Sequence, residues 1–96
     1  MKYVYPAVFT LVEGEGYGIE FPDLKGCAEE GEDLYGALLL ARDALTDWLM
    51  FSEDTGKPIP PPTPLKEIAV EENQFVNLIR ADTDAWRLLK AQKATT

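Results

Sequence analysis

With 96 residues, 46% of them apolar, the chain has room for one small domain with a modest core and is too apolar to be a disordered segment. Nine basic against 17 acidic residues give a net charge of −8, and the imbalance lies in front: residues 1–56 hold three basic and twelve acidic side chains (net −9), residues 57–96 six and five (net +1). Such an acidic front half repels phosphate, which argues against direct nucleic-acid binding; the charge either serves solubility alone or steers a basic protein partner by long-range attraction.

No apolar run approaches the roughly 18 residues of a membrane span, and Met1–Pro6 lacks the layout of a signal peptide. A single cysteine, Cys27, excludes an internal disulfide and suits a reducing, cytoplasmic setting.

In chain order, residues 3–12 are β-branched and aromatic, the composition of a strand, with Pro6 marking an edge or a bulge. Glu13–Gly16 is a turn, and Tyr17, Ile19 and Phe21 alternate with Gly18 and Glu20 as in a half-buried strand, so the two runs predict a hairpin. Pro22 ends that strand, Asp23 and Gly26 are turn formers, and Leu24 between them is expected to tuck beneath it. Cys27–Glu32 allows only a short, polar third strand at a sheet edge.

The one long helix is predicted over 33–54. Asp33 is its N-cap, and Leu34, Ala37, Leu38, Ala41, Leu45, Trp48 and Leu49 form a continuous apolar face, with Gly56 as the stop. Tyr35, Leu39 and Leu40 widen the apolar surface beyond that stripe; they either pack beneath a loop or the C-terminal segment, or form a second interface. Five prolines in 57–64 impose an extended strap returning the chain to the sheet, and Leu65–Val70 has room for one short turn. Residues 74–81 read as a fourth strand whose buried row starts at Phe75 or Val76. Asp82, Thr83 and Asp84 offer caps for a last helix over 85–90 carrying Trp86 and Leu89. The domain thus covers 1–90, with 91–96 a frayed tail. The order β-β-β-α-β-α predicts an α+β fold, a mostly antiparallel sheet with one long helix packed on it.

Tyr5-Pro6-Ala7-Val8-Phe9, the run from Gly16 to Cys27 with its Phe21-Pro22-Asp23-Leu24-Lys25-Gly26-Cys27 stretch, Asp33–Leu38, the Ile59-Pro60-Pro61-Pro62 strap and Asp82–Trp86 together resemble the N-terminal domain of HicB-type antitoxins. The resemblance spans about residues 3–88. It implies a partial RNase H-like fold and a small basic, mRNA-cleaving toxin of the HicA type as partner, neutralised by covering its active-site surface. Members usually add a C-terminal helix-turn-helix or ribbon-helix-helix module that binds operator DNA. Only twelve residues follow Asp84, too few for either, so no direct nucleic-acid binding is expected. The other reading is a stand-alone HicB-like regulator or orphan with a different or lost partner.

Catalysis is not expected, nor any cofactor or metal. The chain has no histidine, and the acids that follow Cys27 raise its pKa rather than activate it. A metal-dependent nuclease of the RNase H type needs several convergent carboxylates, yet residues 3–12 contain no acid, and Asp82 and Asp84 are cap residues. The expected toxin contacts are Glu20, Asp23, Glu29, Glu30 and Glu32. A homodimer or higher homo-oligomer is expected as well, through Tyr35, Leu39, Leu40, Trp86 and Leu89, because a short terminal helix and surplus apolar surface need something to pack on.

Overall fold

The computed structural model describes residues 1–94. The strands are β1 (Lys2–Val12), β2 (Gly16–Glu20), β3 (Ala28–Gly31) and β4 (Gln74–Asp82); the helices are α1 (Leu34–Thr55) and α2 (Thr83–Ala94), with one 3-10 turn at Leu65–Glu67. The sheet order is β3-β2-β1-β4, and every neighbouring pair is antiparallel. The expected α+β order is therefore present. The last helix runs four residues past the expected stop at Lys90. Thr95 and Thr96, the end of the expected tail, lie outside the described residues.

Alternation along β1 sends Tyr5, Ala7 and Phe9 into the core. The register with β4 pairs Tyr5 with Ile79 and Phe9 with Phe75, so Phe75 is on the core-side face, its ring stacked on Phe9 at 5.0 Å, but it remains 39% exposed and the buried row of β4 starts only at Ile79. Across this face lies α1, burying Ala37, Ala41, Leu45 and Leu49 against Ile19, Phe21, Leu24 and Cys27. Leu34, expected on the buried stripe, is 42% exposed, since the first turn projects past the sheet.

Local chemistry sets the ends of α1. Asp33, in extended backbone, accepts from the Gly36 amide at 2.7 Å, and Gly56 closes the helix in the left-handed conformation, its amide donating to the Ser52 carbonyl. Gly31 lets the helix sit close to β3: a Cβ there would lie 2.7 Å from the Ala37 Cα.

From Gly56 the proline strap crosses back to the turn after β2. Ile59 packs on the core, the Tyr5 hydroxyl donates to the Pro60 carbonyl, and the Thr63 amide donates to Asp23 at 2.9 Å. Five prolines leave few free backbone donors, so anchoring falls to these side chains.

Candidate interaction surface

Sorting the 17 carboxylates by what they touch divides the molecule. Asp23, Asp33, Asp43, Asp47, Glu53, Asp54, Asp82 and Asp84 each accept a hydrogen bond or pair with a cation. The side chains of Glu67, Glu71 and Glu72, between the strap and β4, have no such partner among the described residues; nor do those of Glu13, Glu15, Glu20, Glu29, Glu30 and Glu32, which lie on the β1–β2 turn, β2, β3 and the residue after it.

The register explains their grouping. Gly18 stands opposite Glu30 and Ala28 opposite Glu20, so the two glutamates lie diagonally on the sheet face away from α1. With no side chain on Gly18 and only a methyl on Ala28, the space between them is a shallow groove floored by Thr10, Gly18 and Ala28. Glu29, opposite Ile19, projects toward the helix side and remains exposed at the edge. A second concavity beside the hairpin is lined by Glu15, Tyr17 and Glu32. Of the expected contact residues, Glu20, Glu29, Glu30 and Glu32 thus share one end of the sheet.

Asp23 is engaged within the chain. Its carboxylate accepts from both the amide and the hydroxyl of Thr63, 40 residues away, and so latches the strap rather than standing free for a partner. Glu15, which the sequence reading did not single out, lies on the same hairpin turn, thinned by the alternating Gly14, Gly16 and Gly18.

The five residues expected at an oligomer interface divide as well. Tyr35 is 77% exposed, Leu39 and Leu89 about as open as each other at 41%, and Leu88 joins them at 63%. Leu40 instead packs, partly buried, against the core. Trp86 is likewise engaged within the chain: its indole N–H donates to Asp47 at 2.9 Å, and Arg42 and Lys90 lie 5.5 Å from its ring centroid. The two helices supply each other's partners, so this tryptophan is not surplus surface.

Cys27 is buried; burial first, then the nearby Glu29 charge, pushes its thiol up to about 11, away from nucleophilic chemistry. Asp82 caps α2 by accepting from the Ala85 amide, while Asp84 pairs with the N-terminal amine at 2.6 Å. Among the described residues no group of three or more histidine, cysteine or acidic side chains is placed to hold a metal ion, and no helix is long and apolar enough to cross a membrane.

Comparison with known proteins places this architecture. A structure of a toxin–antitoxin complex from Streptococcus pneumoniae contains a chain that superposes with a TM-score of 0.80 at 20% identity, over 90% of this chain and 73% of that one. A chain of a HicA3–HicB3 toxin–antitoxin complex gives 0.66 at 24% identity, over 83% and 99% respectively. The N-terminal domain of the Burkholderia pseudomallei antitoxin HicB gives 0.65 at 17%, over 80% and 95%. At these identities the likeness speaks for the fold. No curated protein sequence matches the chain. The family profile described as the HicB_like antitoxin of bacterial toxin-antitoxin systems matches residues 5–93, nearly the whole length, and the chain belongs to that family.

Proposed function

We propose that this protein neutralises a small basic, RNA-cleaving toxin of the HicA type by covering the toxin's active-site surface with the acidic end of its sheet. The observation that carries the reading is the set of six unpaired carboxylates on β2, β3 and the adjoining turn, in a chain that belongs to an antitoxin family. A protein that binds RNA presents positive charge to it, and an antitoxin that offers fixed negative charge competes for that surface. The contact residues proposed are Glu15, Glu20, Glu29, Glu30 and Glu32. The action is binding and exclusion, without catalysis, cofactor or metal, in the cytoplasm.

The test is co-purification with the small basic protein encoded beside it, followed by association kinetics. Changing Glu20, Glu29, Glu30 and Glu32 together to glutamine is expected to slow association about tenfold or more at low salt and to flatten its salt dependence. An unchanged association rate at low salt overturns the electrostatic part. The same charge logic predicts no gel shift of the operon's promoter by this chain alone at physiological salt, since a net charge of −8 repels phosphate.

A further inference from the structure

The two edges of the sheet differ. β3 is four residues long and carries Glu29 and Glu30, the kind of short, charged edge that resists pairing. β4 is nine residues long, and its register with β1 runs unbroken from Lys2–Asp82 to Thr10–Gln74, without a bulge. Its outer side has no strand beside it.

Backbone parity shows what that outer side offers. The Leu11 amide donates to the Asn73 carbonyl and the Thr83 amide to the Met1 carbonyl, so the odd-numbered residues of this ladder turn their polar groups toward β1. The even-numbered ones turn theirs outward, except that the Gln74 amide donates to the Glu71 carbonyl in the preceding turn. No loop, cap or side-chain hydrogen bond reaches the backbone of Val76, Leu78 or Arg80 among the described residues. The stretch 74–79 contains no proline and no charge, the usual guards of an exposed edge. A surface concavity lined by Lys2, Val4, Arg42, Arg80 and Asp82 opens beside its C-terminal part.

We propose that this edge pairs with the same edge of a second copy of the chain, antiparallel about a two-fold axis at Leu78, giving one continuous eight-stranded sheet. The strand itself identifies the occupant. Leu78 is the midpoint of Gln74–Asp82, so a two-fold there aligns the full strand with its copy. Every outward-turned residue then meets an outward-turned residue: Leu78 its own copy, Val76 the second copy's Arg80, Gln74 the second copy's Asp82. No like charges face each other. Leu78, 49% exposed, gains an apolar neighbour across the axis, on the sheet face it shares with the 46%-exposed Val4. The edge carries only Arg80 and Asp82, nothing that would attract a strongly basic partner, and it lies on the opposite side of the sheet from Glu20, Glu29, Glu30 and Glu32. The proposal is independent of the toxin reading.

Light scattering of the full chain at micromolar concentration tests it, with an expected mass twice the 10.7 kDa of one chain. Leu78→Lys sets two ammonium groups against each other at the axis and is expected to give the mass of one chain with an unchanged far-ultraviolet circular-dichroism spectrum. Leu78→Cys is expected to form a cross-linked dimer under mild oxidation, while Leu89→Cys is not. A one-chain mass for the unaltered protein, a Leu78→Lys protein that remains dimeric, or cross-linking by Leu89→Cys in place of Leu78→Cys overturns the proposal.

Discussion

The two helices are held to the rest of the molecule by different physics. Ala37, Ala41, Leu45 and Leu49 of α1 are each fully buried on the sheet, a contact made almost wholly of carbon. The seat of α2 is polar. Glu53 of α1 accepts from the Tyr3 hydroxyl, the Thr83 hydroxyl and Arg87; Arg87 also reaches Asp54 at 2.9 Å, and Lys90 reaches Asp47 at 3.0 Å. Apolar burial is non-directional and indifferent to pH and moderate salt, while these ties are neither. The two seats should therefore separate under perturbation, with α2 the element of lower local stability.

The largest expected effect falls on the apolar seat. Leu45→Ala removes a fully buried side chain and is expected to cost about 2–5 kcal/mol, a large part of the total stability of a domain this size. Chemical denaturation followed by fluorescence should show Trp48 and Trp86 reporting one earlier, shared transition. Next comes Gly31→Ala, whose methyl must push the α1 backbone at Ala37 away from β3; overpacking of this kind costs about 1–3 kcal/mol, read in the same experiment.

Glu53→Ala acts on the polar seat. It leaves the Tyr3 and Thr83 hydroxyls and the Arg87 guanidinium without their shared acceptor, a loss of about 1–3 kcal/mol. Here the two seats should part: the Trp86 signal should change at low denaturant while the Trp48 signal keeps its cooperative transition. A single coincident transition would show that the two helices unfold as one unit.

The pH dependence sharpens the contrast. Burial pushes the Glu53 carboxyl up, but hydrogen bonds from Tyr3, Arg87 and Thr83 and the Arg87 charge outweigh it, and its pKa ends below the ordinary glutamate value. The stability it contributes is fully present above the unfolded-state pKa of about 4.5 and is lost as pH falls through the lowered folded value. Loss of α2 docking on acidification, followed at Trp86, is the expected result. Tyr3 titrates with the opposite sign. Burial first, then Glu53, pushes it up to about 12, so its contribution is lost as pH rises from about 10 toward that value. The smallest expected effect has the other direction. The Ser52 hydroxyl is buried without a partner among the described residues, so Ser52→Ala is expected to be neutral or to stabilise the apolar seat by up to about 1 kcal/mol.

What could be read from the sequence follows the same division. The α1 seat was legible because its signals are local: apolar spacing, Asp33 at one end, Gly56 at the other. Leu24 tucked beneath β2 was legible for the same reason. The α2 seat was not. The bond from Trp86 spans 39 residues, the Thr83–Glu53 bond 30 and the Asp23–Thr63 latch 40, and nothing in residue type tells a carboxylate that will find a distant donor from one left in water. The acidic surface was visible as a charge count, yet its division into paired and unpaired groups needed the register of β2 and β3. Phe75 and Val76 could not be ranked until pairing with β1 showed which faces the core.

Cys27 turns this architecture into an instrument. It is the only thiol in the chain, it lies in the core between the β2 turn and α1, and while it is buried its raised pKa leaves little thiolate at neutral pH. Alkylation in the native protein must wait for the core to open, so the labelling half-life is a stopwatch on that opening. Undocking of α2 alone should leave the stopwatch unchanged. Bound toxin should slow it only if the captured surface holds β2 and β3 against the helix, so one unmodified side chain distinguishes an antitoxin clasped at its rim from one stabilised throughout.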